Sequence, residues 1–130
     1  MNQPVFLSRE AVDLIHQASL EAFGGIDGVR DEHALESALA QPPHEFFYRD
    51  ADLFQIAAAY AFHLAQNQPF LDGNKRTGLL SALNFLAANG IFADQPTDNF
   101  YDAMIAIAER RLDKAGLADV FRRQLSSPPR

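Results

Sequence analysis

An all-α fold, a bundle of about six helices, is what the 130-residue sequence predicts, and three observations carry the prediction. Apolar residues recur at three- and four-residue spacing in successive windows, the periodicity of a helix that buries one face. No strong period-2 run occurs, and no internal repeat of useful length is visible. The periodic windows are also punctuated as helices are, with Ser or Asp at their starts and Gly or Pro at their ends.

Ser8 caps the first window, "REAVDLIHQASLEAF", in which Ala11, Leu14, Ile15, Ala18 and Ala22 share a face, and Gly24-Gly25 end it. Asp31 caps "EHALESALA", with Leu35, Ala38 and Leu39 inward, and Pro42-Pro43 are expected to stop that helix. The segment "QPPHEFFYRD" then reads as a loop or small hairpin, because two prolines followed by three aromatics fit neither a helical period nor a long strand. Asp50 is expected to cap "ADLFQIAAAYAFHLAQN", where Leu53, Ala57, Tyr60, Ala61 and Leu64 mark one face. Its alanine content predicts a central helix packed closely on several sides. In "RTGLLSALNFLAANG", Leu79, Leu80, Leu83, Leu86 and Ala87 repeat at helical spacing before Gly90 supplies a C′ residue. Thr97 or Asp98 caps "NFYDAMIAIAERRL", with Tyr101, Met104, Ile105 and Ala108 inward, and Asp113 opens a last helix through Leu125. Residues 1–125 thus read as one domain, and the tail 126–130 is expected to fray.

Composition narrows the function classes. The chain has no cysteine, which removes disulfides and thiolate metal sites and makes a reducing, cytoplasmic setting the simpler expectation. No stretch approaches the roughly 20 apolar residues of a membrane span, and "MNQPVFLSRE" has no secretory pattern. A formal charge of −6 argues against a surface that neutralises many phosphates, so direct nucleic-acid binding is not expected, while one local cationic pocket remains compatible with it. Six of the eleven Lys and Arg fall in the last 22 residues, an asymmetry that solvated helix faces account for.

The polar chemistry concentrates in "NQPFLDGNKRTG", Asn67 to Gly78, between two apolar helices. Pro69 biases Gln68 toward extended backbone and ends the preceding helix there, and Gly73 lets the chain turn. If the next helix begins near Asn74, the free N–H groups of Gly73 to Thr77 point out of an N-terminus whose macrodipole favours anions. Lys75 and Arg76 sit in that first turn, where cations are unfavourable unless an anion answers them. Asp72 beside a polyphosphate is repulsive unless a divalent cation lies between, so the turn suggests Mg²⁺ held by Asp72 and bridging to phosphates. The competing structural account has Asp72 or Asn74 capping a helix, Phe70 plugging the core and the cations solvated, and spacing alone does not decide between the two. A P-loop is excluded, because no Gly stands at the Walker spacing and the lysine is not followed by Ser or Thr.

Gln68 to Arg76, "QPFLDGNKR", resembles the signature of the Fic/Doc family, His-Pro-Phe-x-Asp/Glu-Gly-Asn-Gly/Lys-Arg, at every position but the first. The likeness extends through "GGIDGVRDEHALESALAQP", "DLFQIAAAYAFHLAQN" and "RTGLLSALNFLAANG", so it covers nearly the whole chain. The resemblance implies an α-helical bundle with the motif loop between two central helices and a short flap hairpin, placed at about His44 to Arg49. It implies that Asp72 holds Mg²⁺, that Gly73, Asn74 and Lys75 cradle phosphates, and that Arg76 contacts them too. Lys75 and Leu79 stand where AMP-transferring relatives usually have Gly and a second Arg, so the resemblance favours the death-on-curing (Doc) type. Such proteins use ATP to phosphorylate a protein hydroxyl, elongation factor Tu being the known sort of target, and they are restrained in trans by a small antitoxin. No Ser or Thr here has the Glu spacing of the inhibitory helix found in some Fic proteins.

Gln68 occupies the seat of the family's general base. An amide has no proton-accepting pKa near 7, and general-base catalysis typically contributes ~10²–10⁴-fold, so binding should survive while turnover is severely weakened. His63, five residues upstream on a helix, points about 140° away and is expected to be a hydrogen-bonded helix histidine. His16, His33 and His44 are expected at helix ends and surfaces, without a zinc site. A kinase-type toxin impaired by Gln68 is the leading reading. The alternatives are an AMP-transferring Fic protein and a non-catalytic module that holds nucleotide or antitoxin.

Overall fold

The computed structural model describes residues 3–93 and 98–125. Six helices occupy them: α1 (Arg9–Phe23), α2 (Glu32–Arg49), α3 (Leu53–Asn67), α4 (Asn74–Ala88), α5 (Asp98–Ala108) and α6 (Lys114–Leu125). The predicted all-α class and helix number hold. Thr97 and the tail 126–130, for which a cap and fraying are expected, lie outside the described residues.

α3 is the hub and packs against α2, α4, α5 and α6, while α1 packs against α4. Ile56 to Ala61 and Leu64 are all essentially inaccessible to solvent, so the central, alanine-rich helix is buried on several faces as its sequence predicts. Tyr60, Phe85, Met104, Ile107, Leu117 and Phe121 fill the main core around it. The buried Tyr60 hydroxyl accepts the Leu7 N–H at 2.9 Å, and desolvation pushes its pKa up to about 12.

α3 and α4 cross at Gly78. A Cβ there would lie 2.8 Å from the Ala61 carbonyl oxygen, so only the missing side chain permits this approach.

Capping follows the sequence at three places. Ser8 Oγ accepts from Ala11 N, Asp31 Oδ1 from Ala34 N, and Asp113 Oδ1 from Gly116 N. At α3 the expectation is corrected. Asp52, not Asp50, is the N-cap and forms a reciprocal capping box with Gln55, while Asp50 ends α2 in the left-handed region at φ 53°. Asp50 can take that conformation because its short polar side chain tolerates it better than most.

The second correction concerns α2. Pro42-Pro43 do not stop it and no flap hairpin forms at His44–Arg49; the helix runs on to Arg49. Each interior proline removes an N–H and costs about 3 kcal/mol against helix, but burial overrides that preference. Leu35, Ala38, Pro42 and Glu45 form one continuous buried stripe across the break, and Phe46 packs on the main core. Glu45 then accepts Lys114 Nζ at 2.8 Å, tying the end of α2 to the start of α6.

α1 corrects a face. Val12, His16 and Ser19 are buried and Leu14 is 71% exposed, so the inward stripe is rotated from the apolar one expected and carries two polar side chains. α4 buries Leu79 and Leu86 as expected but adds Gly78, Ala82 and Phe85, and α5 turns Phe100, Met104 and Ile107 inward.

His63 Nε2 accepts from Lys114 Nζ at 3.0 Å, which keeps the ring neutral and matches the helix-histidine expectation. Burial and the Lys114 ammonium lower its pKa from 6.5 to about 4, against the opposing pull of Glu45. The unfolded chain therefore takes up this proton before the folded one does. Its contribution to stability is constant above pH 6.5, falls as pH drops from 6.5 to about 4, and is constant again below.

His63→Gln should remove that component. Urea midpoints measured from pH 7 to 4 should fall less steeply in the variant, by about 1 to 2 kcal/mol across the window after allowing for the ring's partial exposure. Parallel curves would show that the ring does not titrate with folding. Gly78→Ala should lower the urea midpoint by about 1 to 3 kcal/mol of stability, since the clash outweighs the roughly 1 kcal/mol gained in helix propensity. An unchanged or raised midpoint would mean the α3–α4 crossing has slack.

Candidate functional site

The turn between α3 and α4, residues 68–73, is held by backbone hydrogen bonds to groups outside it. Asn74, the first residue of α4, accepts the Phe70 N–H at 2.9 Å and donates to the Phe70 carbonyl at 3.0 Å, closing the turn with one amide. Its side chain is thus a structural latch. Gly73 is the N-cap of α4 with φ 83°, and no side chain caps this helix, unlike α1, α2 and α3.

From below, His16 on α1 is 2% exposed, stacks on the Phe70 ring at 3.8 Å, and places Nε2 2.8 Å from the Asp72 carbonyl oxygen. A carbonyl only accepts, so Nε2 carries the proton and donates. The surface position expected for His16 is therefore corrected. The signal was present as Val12, His16 and Ser19 at helical spacing, but the more apolar stripe beside it outcompeted it.

From the side, the segment Gly24–Asp31 runs against the turn. Val29 and Phe70 form an isolated antiparallel bridge, Leu71 N donates to the Gly28 carbonyl, and Arg30 N and Asp31 N both donate to the Pro69 carbonyl. This segment takes the place over the motif that the sequence reading gave to residues 44–49. Ile26 N donates to Asp72 Oδ2 at 2.8 Å, which fixes the carboxylate.

Gln68 departs from the extended backbone expected before proline and is left-handed, at φ 48° and ψ 56°. Arg30 answers the exposed C-terminus of α3: its guanidinium donates to the Asn67 carbonyl at 3.0 Å and through Nε to the Gln68 carbonyl at 2.8 Å. Nη2 donates to the Gln68 carbonyl as well. A cation at a helix C-terminus offsets the strain of the turn there.

These contacts leave a cleft of about 300 Å³ in front of α4, lined by Ser19, Phe23, Gly24, Gly25, Asp72, Gly73, Asn74, Lys75, Arg76 and Tyr101. Five sequence-predicted residues, Asp72 to Arg76, meet in it. Gln68 does not line it and stays exposed at the far end of the turn. Among the described residues neither Lys75 nor Arg76 has an ion pair or a side-chain hydrogen bond to the protein. Arg76 instead lies against two rings, with Cζ 3.7 Å from the Phe23 centroid and 4.2 Å from that of Tyr101. Both rings went unnoticed in the sequence, since Phe23 closes a helix and Tyr101 reads as core.

Among the described residues, the cleft gathers two unanswered cations and an uncapped helix N-terminus around a single carboxylate. No group of three or more potential metal ligands exists among the described residues. One carboxylate suits a Mg²⁺ ion that keeps waters and takes its other ligands from phosphates. No helix of the described residues is long and apolar enough to cross a membrane.

Asn74→Ala should lower stability by about 1 to 2 kcal/mol in urea titration, because the Phe70 N–H and carbonyl lose a shared partner. An unaltered midpoint would show that the turn closes without its latch.

The family model described as Fic/DOC family matches residues 6–86. The protein kinase doc of Escherichia phage P1 is 32% identical over 123 residues, covering 93% of this chain and 96% of its own length. Toxin Doc of Mycolicibacterium smegmatis is 38% identical over 117 residues, covering 87% of this chain and 88% of its own.

Proposed function

Since this chain belongs to the Fic/DOC family, we propose that it is a Doc-type toxin of a toxin–antitoxin pair, built for ATP- and Mg²⁺-dependent phosphorylation of a protein hydroxyl and impaired in that reaction by Gln68. The observation that carries the reading is the uncapped start of α4 with Lys75 and Arg76 unanswered beside it. The N–H groups at Gly73 to Arg76, the ammonium and the guanidinium all donate and none accepts, a set that suits phosphate oxygens. Two relatives named as a kinase and a toxin support the same reading.

Asp72 would hold Mg²⁺, which offsets the repulsion between its carboxylate and the phosphates. The Ile26 N–H orients that carboxylate, and the His16 and Asn74 bonds hold the backbone to which the phosphates dock. In the transfer, the target's hydroxyl oxygen forms a bond to the terminal phosphorus, the bond to the ADP oxygen breaks, and the hydroxyl proton must leave. Gln68, outside the cleft at the far end of the turn, carries an amide that cannot take the proton, which must pass to water. Leu79 is 4% exposed in the core, so it offers the cleft no second cation; this favours phosphoryl over AMP transfer. The expected partners are a small antitoxin in trans and a cytoplasmic protein substrate of the elongation factor Tu kind.

The second reading, a non-catalytic module that holds nucleotide or antitoxin peptide, is favoured by Gln68 itself. Gln68→His separates the two. It should raise ATP-dependent phosphorylation of elongation factor Tu by about 10²–10⁴-fold, with a phosphoryl rather than nucleotidyl mass on the target. Arg76→Ala should abolish Mg-ATP binding in calorimetry with either residue at position 68. Binding without any transfer by the Gln68→His protein would favour the non-catalytic module, and a nucleotidyl mass would favour AMP transfer.

A further inference from the structure

Phe23 and Tyr101 lie far apart in the sequence, the last residue of α1 and the first turn of α5, yet both lie on the guanidinium of Arg76. Phe23 is 58% exposed, an arrangement burial does not explain. It is followed by Gly24 at φ 83°, which turns the chain away at once and leaves the ring at the mouth of the cleft. Tyr101 lies three residues before the fully buried Met104 on the same helix, so its backbone is fixed by the core while its ring reaches the cleft. Two ring faces within about 4 Å of one carbon cannot stack on the same side of a planar group, so the guanidinium is held between them.

We infer that Phe23 and Tyr101 are positioning residues: an aromatic clamp that presets Arg76 for the terminal phosphoryl group of a bound polyphosphate. The inference rests on reading the cleft as a phosphate site. A guanidinium carbon covered by two rings keeps its N–H donors in the plane between them, and Arg76 shares its cleft with the start of α4. The rings supply what no carboxylate could. An acidic partner would hold Arg76 equally still but would consume its donors and cancel its charge, whereas ring faces accept the cation and leave the in-plane fork free. The clamp also selects against lysine at position 76, since an ammonium has no plane to stack and no fork to aim.

The test has an arm that needs no ligand. In the free protein, ¹⁵N exchange spectroscopy of the Arg76 side chain should show slowed rotation about its Nε–Cζ bond. Tyr101→Leu and Phe23→Leu should each speed that rotation, while Tyr101→Phe, which keeps the ring, should restore the slow rate. In the second arm, calorimetry with Mg-ATP should show affinity lowered about threefold to tenfold in each Leu variant and recovered in Tyr101→Phe, with thermal midpoints of the variants alike. Rotation as fast in the unsubstituted protein as in the Leu variants overturns the clamp, as does Mg-ATP affinity that the Leu variants leave within twofold. Failure of the unsubstituted protein to bind Mg-ATP, with slow rotation intact, overturns the phosphate-site reading instead.

Discussion

The separation of α3 and α4 at Gly78 is the constraint on which the site depends. With a Cβ-free residue against the Ala61 carbonyl, the two helices meet backbone to backbone, and the span that residues 68–73 must bridge is set from inside the core. A wider crossing would pull the Asn74 amide away from Phe70 and tilt the start of α4. The hydrophobic core therefore reaches the cleft through one missing methyl group.

On that frame, the turn is fixed by donors aimed at its backbone, His16 from α1, Arg30 from the segment before α2 and Asn74 from α4, while the Ile26 N–H holds the Asp72 side chain. The division of labour has an electrostatic logic. Neutral or remote groups restrain the loop, so the two cations in the first turn of α4 remain uncommitted, and an anion arriving there finds donors that need no reorganisation. In a chain of net charge −6, this is a small positive inlet in an otherwise acidic molecule.

Much of this was legible in the sequence, and most of what was not shares a cause. Helix windows, three caps and the start of α4 at Asn74 follow from periodicity and punctuation, which are local. The resemblance carried by "QPFLDGNKR" brought Asp72 to Arg76 together, and the cleft does so too. Apart from the α3 cap, where the local Asp52–Gln55 capping box was passed over for Asp50, the misses are tertiary. Pro42-Pro43 carry a correct local preference that a buried stripe from Leu35 to Glu45 overrules. His16 read as a surface histidine because its partner, a main-chain carbonyl 56 residues away, has no signature in side-chain spacing. Gln68 before Pro69 read as extended because the Arg30 guanidinium that supports its left-handed backbone arrives from 38 residues upstream. Phe23 and Tyr101 were invisible as a pair because nothing local links positions 23 and 101.

The Ile26 N–H bond to Asp72 has a thermodynamic consequence. It joins the placement of the Gly24–Asp31 segment to the orientation of the Asp72 carboxylate in the cleft. Two events that share an element are reciprocally coupled: a cation that prefers the oriented carboxylate steadies the segment, and a partner that seats the segment strengthens the cation by the same factor. Occupancy of the cleft and recognition at its rim would then be one equilibrium observed from two ends.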